Sequence, residues 1–285
     1  MPANNPEFAI YSNVIQQVMK GEEQLPSLPA ITLRIRKALA NPLTSHNQLA
    51  NLLMQDPSLA ALIMKTANSA IYKTVAQAKT LNDAVRLLGR EIIDQIVMSH
   101  SVKSLFVMKS AGLKRLFILS WQRQAVKTAI CILLTQATQF KPTFQPVTGC
   151  FLSEIGTLAV LSAFNDKPME PTQEDYIALC KSYSKSLGLI LIKKWQLDEV
   201  YIDMIRNAGN WSMPQAPSIS ALEIINLALY HSLVIFSHAD DLPPLRALPA
   251  FQNLPQKYQQ LDDFGLLQLI SKHEDAIAEY IDTLR

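Results

Sequence analysis

The chain has 285 residues, 49% of them hydrophobic and 18% charged, which describes a folded chain with a substantial core and excludes an intrinsically disordered one. Its 26 Lys and Arg against 24 Asp and Glu leave a net charge of +2, too little for the electrostatic footprint of a nucleic-acid-binding domain. Glycine is scarce at 8 residues, where an average protein has about 7%, and this disfavours hairpin-rich β folds and glycine-rich phosphate loops together.

Phe8, Tyr11, Val14, Ile15 and Val18 form a first helical stripe, stopped by Gly21. Leu25-Pro26-Ser27-Leu28-Pro29 is a non-helical connector, because each proline disfavours the α region for the residue before it. A second helix starts near Ala30 and ends at Asn41-Pro42. Ser45 to Gln48 reads as a capping box that opens a short helix with Leu49, Leu52 and Leu53 inward. Asp56-Pro57 supplies an N-cap and a first-turn proline to a helix whose Leu59, Leu62, Ile63 and Thr66 share one face. Asn68-Ser69-Ala70-Ile71-Tyr72 ends that helix, and a loop runs on to Thr80. Thr80 to Asp83 starts the next helix, closed by Gly89, and Glu91 to Phe106 is a longer one.

A break at Lys109–Gly112 divides an N-terminal lobe, 1–110, from a C-terminal lobe, 111–285. Helices are then predicted at about Leu113–Thr138, Val147–Phe164, Gln173–Tyr183, Ser184–Trp195 and Glu199–Ala208. Trp211–Pro217 is a loop, and Ser220 to Glu223 is a capping box for a helix to about Phe236. Asp240–Pro255 is irregular, and a last helix runs from about Asp263 to the end. There is no strand alternation of useful length, no internal repeat and no low-complexity tract, so the predicted class is all-α.

The N-terminal residues lack a basic and an apolar region, so no signal peptide is expected, and no apolar stretch reaches the ~18 residues of a membrane span. Cys131, Cys150 and Cys180 are widely spaced and contain no CxxC, which excludes a zinc ribbon and a thioredoxin-like site and fits a reducing cytoplasm.

Motifs for chemistry are missing. His46, His100, His231, His238 and His273 include no pair at helical ligand spacing, and none precedes an Asp. They read as surface or capping residues, with His100 in the core or on the surface of a helix. The doublets Asp240-Asp241 and Asp262-Asp263 read as helix-end carboxylates. Arg34, Arg36 and Lys37 cluster on an early helix, and Lys193-Lys194 complements a helix C-terminus. No P-loop, dinucleotide fingerprint, nucleophile elbow or HExxH is present. No catalytic residue, metal ligand or cofactor site is therefore expected.

Several stretches together resemble the HDOD family, the HD-related output domain of bacterial signalling proteins. They are Leu25-Pro26-Ser27-Leu28-Pro29-Ala30, Gln55-Asp56-Pro57-Ser58-Leu59, Ala67-Asn68-Ser69-Ala70, Thr80 through Gly89, and Lys194-Trp195-Gln196-Leu197. The resemblance spans about 24–211 and implies an N-terminal helical bundle followed by an HD-like helical lobe. The related HD phosphohydrolases hold a metal through a His, a His-Asp doublet and a later Asp, and the metal activates water against a phosphoryl centre. Here the first His would fall near Trp121-Gln122-Arg123-Gln124, and the doublet falls on Ser153-Glu154 within Leu152-Ser153-Glu154-Ile155-Gly156. Ser184 stands where some relatives carry a further histidine, a His pair would fall at about Ala208-Gly209, and the last Asp near Leu229. Ser153 is a poor ligand and Arg123 would repel an ion.

The resemblance thus implies a cytoplasmic, non-catalytic signalling protein that binds a signalling protein or a small ligand, with no membrane partner. The alternatives are a metal-dependent phosphohydrolase with altered ligands and a nucleic-acid-associated adaptor. Candidate binding residues are Arg123 and Glu154 at the vestigial cleft, and Asn68, Ser69, Tyr72 and Lys73 where a helix runs into a loop. Asn68 has a second reading, as a helix cap that merely shapes that loop.

Overall fold

The structure, a computed structural model, describes residues 6–21, 25–72, 77–142, 144–214, 216–236 and 242–284. The first five residues, Lys73, His238 and the Asp240-Asp241 doublet lie outside them. The described residues are helical, with no strand and one isolated bridge between Leu261 and Leu267.

Five helices come first: α1 (Pro6–Met19), α2 (Ala30–Ala40), α3 (His46–Leu53), α4 (Pro57–Ala67) and α5 (Leu81–Leu105). Local chemistry sets their starts. Ser45 and Thr80 form capping boxes with Gln48 and Asp83, and the Asp56 carboxylate accepts from the Ser58 and Leu59 N–H groups. Gly89, at φ 74 and ψ 168, breaks the helical path inside α5 at the boundary expected from the sequence, in a conformation that side chains avoid. Next to it, the Arg90 guanidinium donates to the carbonyls of Ala38, Leu39, Asn41 and Thr44, supplying donors to the open C-terminal end of α2.

The second half comprises α6 (Ala111–Thr138), α7 (Phe144–Leu152), α8 (Ile155–Ser162), α9 (Gln173–Lys194), α10 (Glu199–Asn207), α11 (Ala221–Ile235), the short α12 (Pro249–Gln252) and α13 (Gln268–Ser271), and α14 (Glu274–Leu284). Three boundaries differ from expectation. The single helix expected over Val147–Phe164 is broken into α7 and α8 at Ser153-Glu154. There the Ser153 hydroxyl donates to the Cys150 carbonyl, and the Thr157 N–H and hydroxyl both donate to the Glu154 carbonyl. The two helices expected over 173–195 are one, because the Ser184 hydroxyl donates back to the Cys180 carbonyl within the helix instead of capping a new one. The last helix starts at Glu274, not near Asp263. Asp262 instead accepts from the Phe264 and Leu266 N–H groups and the Ser271 hydroxyl, holding a turn with Gly265 at φ 77.

Two cores form. The smaller gathers Ile35, Leu49, Leu53, Ile63, Val85 and Ile93 from α2 to α5. The larger fills the space among α6 to α11, and α1 belongs to it although it lies in the first 110 residues. Tyr11 donates its hydroxyl to the Glu170 carbonyl and meets the Phe164 ring edge-on at 5.6 Å. The C-terminal end of α9 fastens the proline connector, with the Trp195 indole N–H donating to the Pro26 carbonyl at 2.9 Å and Lys194 to that of Leu25. In the other direction α14 returns to the first half, where the Ala70 N–H donates to the Glu279 carboxylate at 3.0 Å. α8 and α9 approach with backbones nearly in contact: a Cβ on Gly156 would lie 1.8 Å from the Ser184 carbonyl oxygen.

Candidate functional site

The break between α7 and α8 faces α6, whose residues 123 and 127 are one helical turn apart and share a face. The Arg123 Nη2 lies 2.6 Å from Glu154 Oε1, and the Lys127 Nζ lies 2.7 Å from Glu154 Oε2. Lys127 also donates to the Ser153 hydroxyl at 2.9 Å. Lys127 is fully buried, whereas the Arg123 and Glu154 side chains retain 24% and 16% exposure and form the solvent edge of the cluster. Gln124 donates its side-chain amide to the Phe151 carbonyl at 2.5 Å, and the buried Arg123 Nε has no hydrogen-bond partner among the described residues.

Burial would by itself raise the Glu154 carboxyl, but the charges of Arg123 and Lys127 outweigh it and hold the group at about 2. Glu154 reciprocally raises Arg123 against its own desolvation. The cluster is therefore two cations on one carboxylate. It does not fit the metal ion of the related phosphohydrolases: the sole carboxylate has a cation on each oxygen, its neighbour is a serine, and a divalent ion would add positive charge beside two fixed ones. Among the described residues no three His, Cys, Asp or Glu side chains converge elsewhere as a metal site.

Lys127 was not among the expected site residues. Its position four residues after Arg123 was the available signal, since that spacing aims two cations at whatever faces the helix.

The helix-end residues Asn68, Ser69 and Tyr72 lie apart from this cluster. Asn68 donates to the Met64 and Ala78 carbonyls, and its side-chain oxygen accepts from the Ala78 N–H, so it clamps the two ends of the loop. Ser69 is buried and donates to the Thr66 carbonyl at 2.8 Å. The Tyr72 hydroxyl donates to Gln95, whose amide donates in turn to the Tyr280 hydroxyl. Tyr72, Ile92, Gln95, Ile132, Thr135 and Val147 are among the residues lining a small cavity of about 70 Å³ between α5, α6 and α7.

One histidine differs from its expected surface or capping role. His231 is fully buried on α11, with burial pushing it down to about 3 and neither ring nitrogen hydrogen-bonded among the described residues. His100 reaches Asp56, with its Nε2 at 3.2 Å from the carboxylate that caps α4. In the early basic cluster, Arg36 makes a two-pronged contact with Asp94 at 2.8 and 3.2 Å, while Arg34 and Lys37 remain exposed.

The fold is thus an all-α HDOD fold with an HD-like lobe in which two cations meet the carboxylate at the expected His-Asp position. The HDOD domain model matches residues 25–211, and the chain belongs to that family. A structure from Shewanella amazonensis SB2B, of a protein described as a candidate metal-dependent phosphohydrolase, is similar with a TM-score of 0.73 and 20% identity, covering 98% of this chain and 99% of that one. An HDOD domain protein of unknown function from Geobacter sulfurreducens is similar with a TM-score of 0.63 and 19% identity over 97% of both chains. A candidate signal transduction protein from Marinobacter aquaeolei VT8 is similar with a TM-score of 0.61 and 16% identity, covering 99% of this chain and 67% of that one. An uncharacterized protein of Treponema pallidum (strain Nichols) is 24% identical over an alignment of 225 residues that covers 73% of this chain and 42% of that protein, so the chain matches less than half the length of this relative. Among the described residues no helix is long and apolar enough to cross a membrane.

Proposed function

We propose that this HDOD chain is a non-catalytic regulatory protein of the bacterial cytoplasm that acts by binding a signalling protein or a small ligand. The observation that carries the reading is the fully buried Lys127 ammonium, 2.7 Å from Glu154 and 2.9 Å from Ser153. A fixed side-chain cation there balances the charge of the carboxylate without a metal, and an ammonium cannot activate a water molecule as a metal would. The solvent edge formed by Arg123 and Glu154 then offers a charged contact to a partner. The described cysteines are all free thiols, in keeping with a reducing compartment.

The test is a metal titration of the chain with Mn²⁺, Mg²⁺, Fe²⁺ and Zn²⁺, followed by an assay with bis(p-nitrophenyl) phosphate. The expected result is no stoichiometric metal and no hydrolysis above that of the Glu154→Ala variant. One bound equivalent of metal, with hydrolysis that Glu154→Ala abolishes, would replace this reading with that of an HD-type phosphohydrolase. Loss of a co-purifying partner in Arg123→Ala, with the fold retained, would locate the binding edge. A partner that is RNA or DNA, bound with steep salt dependence, would turn the reading to a nucleic-acid adaptor.

A further inference from the structure

Cys131 on α6 and Cys150 on α7 are both fully buried and both free thiols. Their contacts are reciprocal. The Cys131 thiol lies 3.4 Å from the carbonyl of Pro146, one turn before Cys150. The Cys150 thiol lies 3.7 Å from the carbonyl of Lys127, one turn before Cys131. Each thiol therefore sits against the helical turn that precedes the other, where α6 crosses α7. We infer that Cys131 and Cys150 form a reversible dithiol–disulfide pair that ties α6 to α7 beneath the Arg123–Lys127–Glu154 cluster when a peroxide oxidises it.

Burial acts against ionisation of both thiols, and whichever ionises is the one to attack. Its sulfur takes one oxygen of hydrogen peroxide, the O–O bond breaks, and one water leaves after proton transfer. The other thiol then attacks the resulting sulfenic sulfur, the S–O bond breaks, and a second water leaves as the S–S bond forms. Two thiols thus lose two electrons and two protons to one peroxide. Because both sulfurs are buried, the oxidant reaches them only as α7 opens from α6, which makes the reaction slow and dependent on that local opening.

The pair is coupled to the cluster through Cys150. Its thiol meets the Lys127 carbonyl, and its own carbonyl accepts from the Ser153 hydroxyl at 2.8 Å. An S–S bond would hold the two helices that carry the cluster in one arrangement. This consequence rests on the binding role proposed above, but formation of the disulfide does not. Cys180, on α9 and against Tyr176, is outside the pair.

The full chain is incubated with hydrogen peroxide, free thiols are blocked, and intact mass and peptide maps are read. The expected product has lost two hydrogens, links the Cys131 and Cys150 peptides, and reverts with dithiothreitol. Its melting midpoint lies above that of the reduced chain, because a cross-link restricts the unfolded state. Cys150→Ser and Cys131→Ser each abolish the product, and the cysteine of the pair that remains is arrested as a dimedone-reactive sulfenic acid. If a serine variant fails to fold, the alanine variant takes its place. The inference is overturned if all three thiols remain free, if the disulfide includes Cys180, or if peroxide yields only oxyacids on separate cysteines in the unaltered chain. Metal binding or hydrolysis would overturn the binding role alone, since the mass measurement does not depend on it.

Discussion

The Nζ of Lys127 lies 2.7 Å from Oε2 of Glu154, and the lysine is withheld from solvent entirely. An ammonium in that position is stable only while its carboxylate remains, and the carboxylate is stable there only while it is balanced. Removing one partner of a buried pair leaves the other charge uncompensated. Glu154→Leu alone should cost about 3 kcal/mol or more, and so should Lys127→Met alone, although Arg123 remains beside Glu154. The double substitution should recover much of the loss. Denaturant midpoints of the two single variants and the double variant check this, and simple addition of the two losses would show the pair to be uncoupled.

Acid should act through the same carboxylate. The Glu154 carboxyl is lowered from 4.5 to about 2 in the folded chain. A depressed folded value contributes stability above the unfolded value, and that contribution is lost as pH falls toward the folded one. The chain should therefore lose stability between about pH 4.5 and pH 2 with a component that Glu154→Gln removes. Unfolding free energy measured against pH for the two proteins tests the sign. An identical slope in both would assign the acid loss to other carboxylates.

Gly156 should tolerate no side chain. Its absent Cβ would lie 1.8 Å from the Ser184 carbonyl oxygen and 2.8 Å from the Gly188 nitrogen, both of them backbone atoms of α9. Gly156→Ala must separate α8 from α9, at a cost of about 3 kcal/mol. Gly188→Ala meets its nearest atom at 3.5 Å, an ordinary contact, and should be far milder. Thermal melts of the two variants should differ by many degrees, and equal melts would show that the helices can move apart freely.

Asp56 holds the start of α4 through the Ser58 and Leu59 N–H groups at 3.1 and 3.0 Å, and it also meets His100 of α5. Asp56→Ala should cost about 1–2 kcal/mol, the upper part of the range for a lost N-cap. His100→Ala should cost less, because it leaves the cap in place. An unchanged denaturant midpoint in Asp56→Ala would mean that the helix is secured elsewhere.

Asn68 should act on stability and not on recognition, since its side chain bonds Met64 and both backbone groups of Ala78. Asn68→Ala should lower the midpoint by about 2 kcal/mol while partner recovery per folded molecule stays constant. Loss of a partner from the folded variant would return this loop to the list of contact surfaces.

The starts of α3, α4, α5 and α11 were legible in the sequence because a cap is a local bond. Ser45, Asp56, Thr80 and Ser220 each bond a backbone N–H two or three residues away, so the residues that make the contact are adjacent in the text. Amphipathic spacing likewise identified α1, with Tyr11, Val14, Ile15 and Val18 all buried, and the family resemblance fell within the stretch that its model matches. The resemblance also placed Ser153-Glu154 where the related phosphohydrolases carry a His-Asp doublet.

The pairing of Lys127 with Glu154 was not legible. Lys127 is 26 residues from Ser153, and only the crossing of α6 with α7 brings its ammonium to that hydroxyl and to Glu154. The same crossing brings Cys131 to Cys150, and the folding back of α14 carries Glu279 to Ala70, 209 residues away. The break at Ser153-Glu154 and the continuity of α9 through Ser184 depended on which acceptor each hydroxyl found, the same residue type capping one turn and bonding back within another. Composition and spacing determine where side-chain-capped helices begin and which faces are apolar, because those depend on neighbours along the chain. The charge balance of the site was decided by tertiary packing, because a buried charge takes its partner from whichever helix is pressed against it.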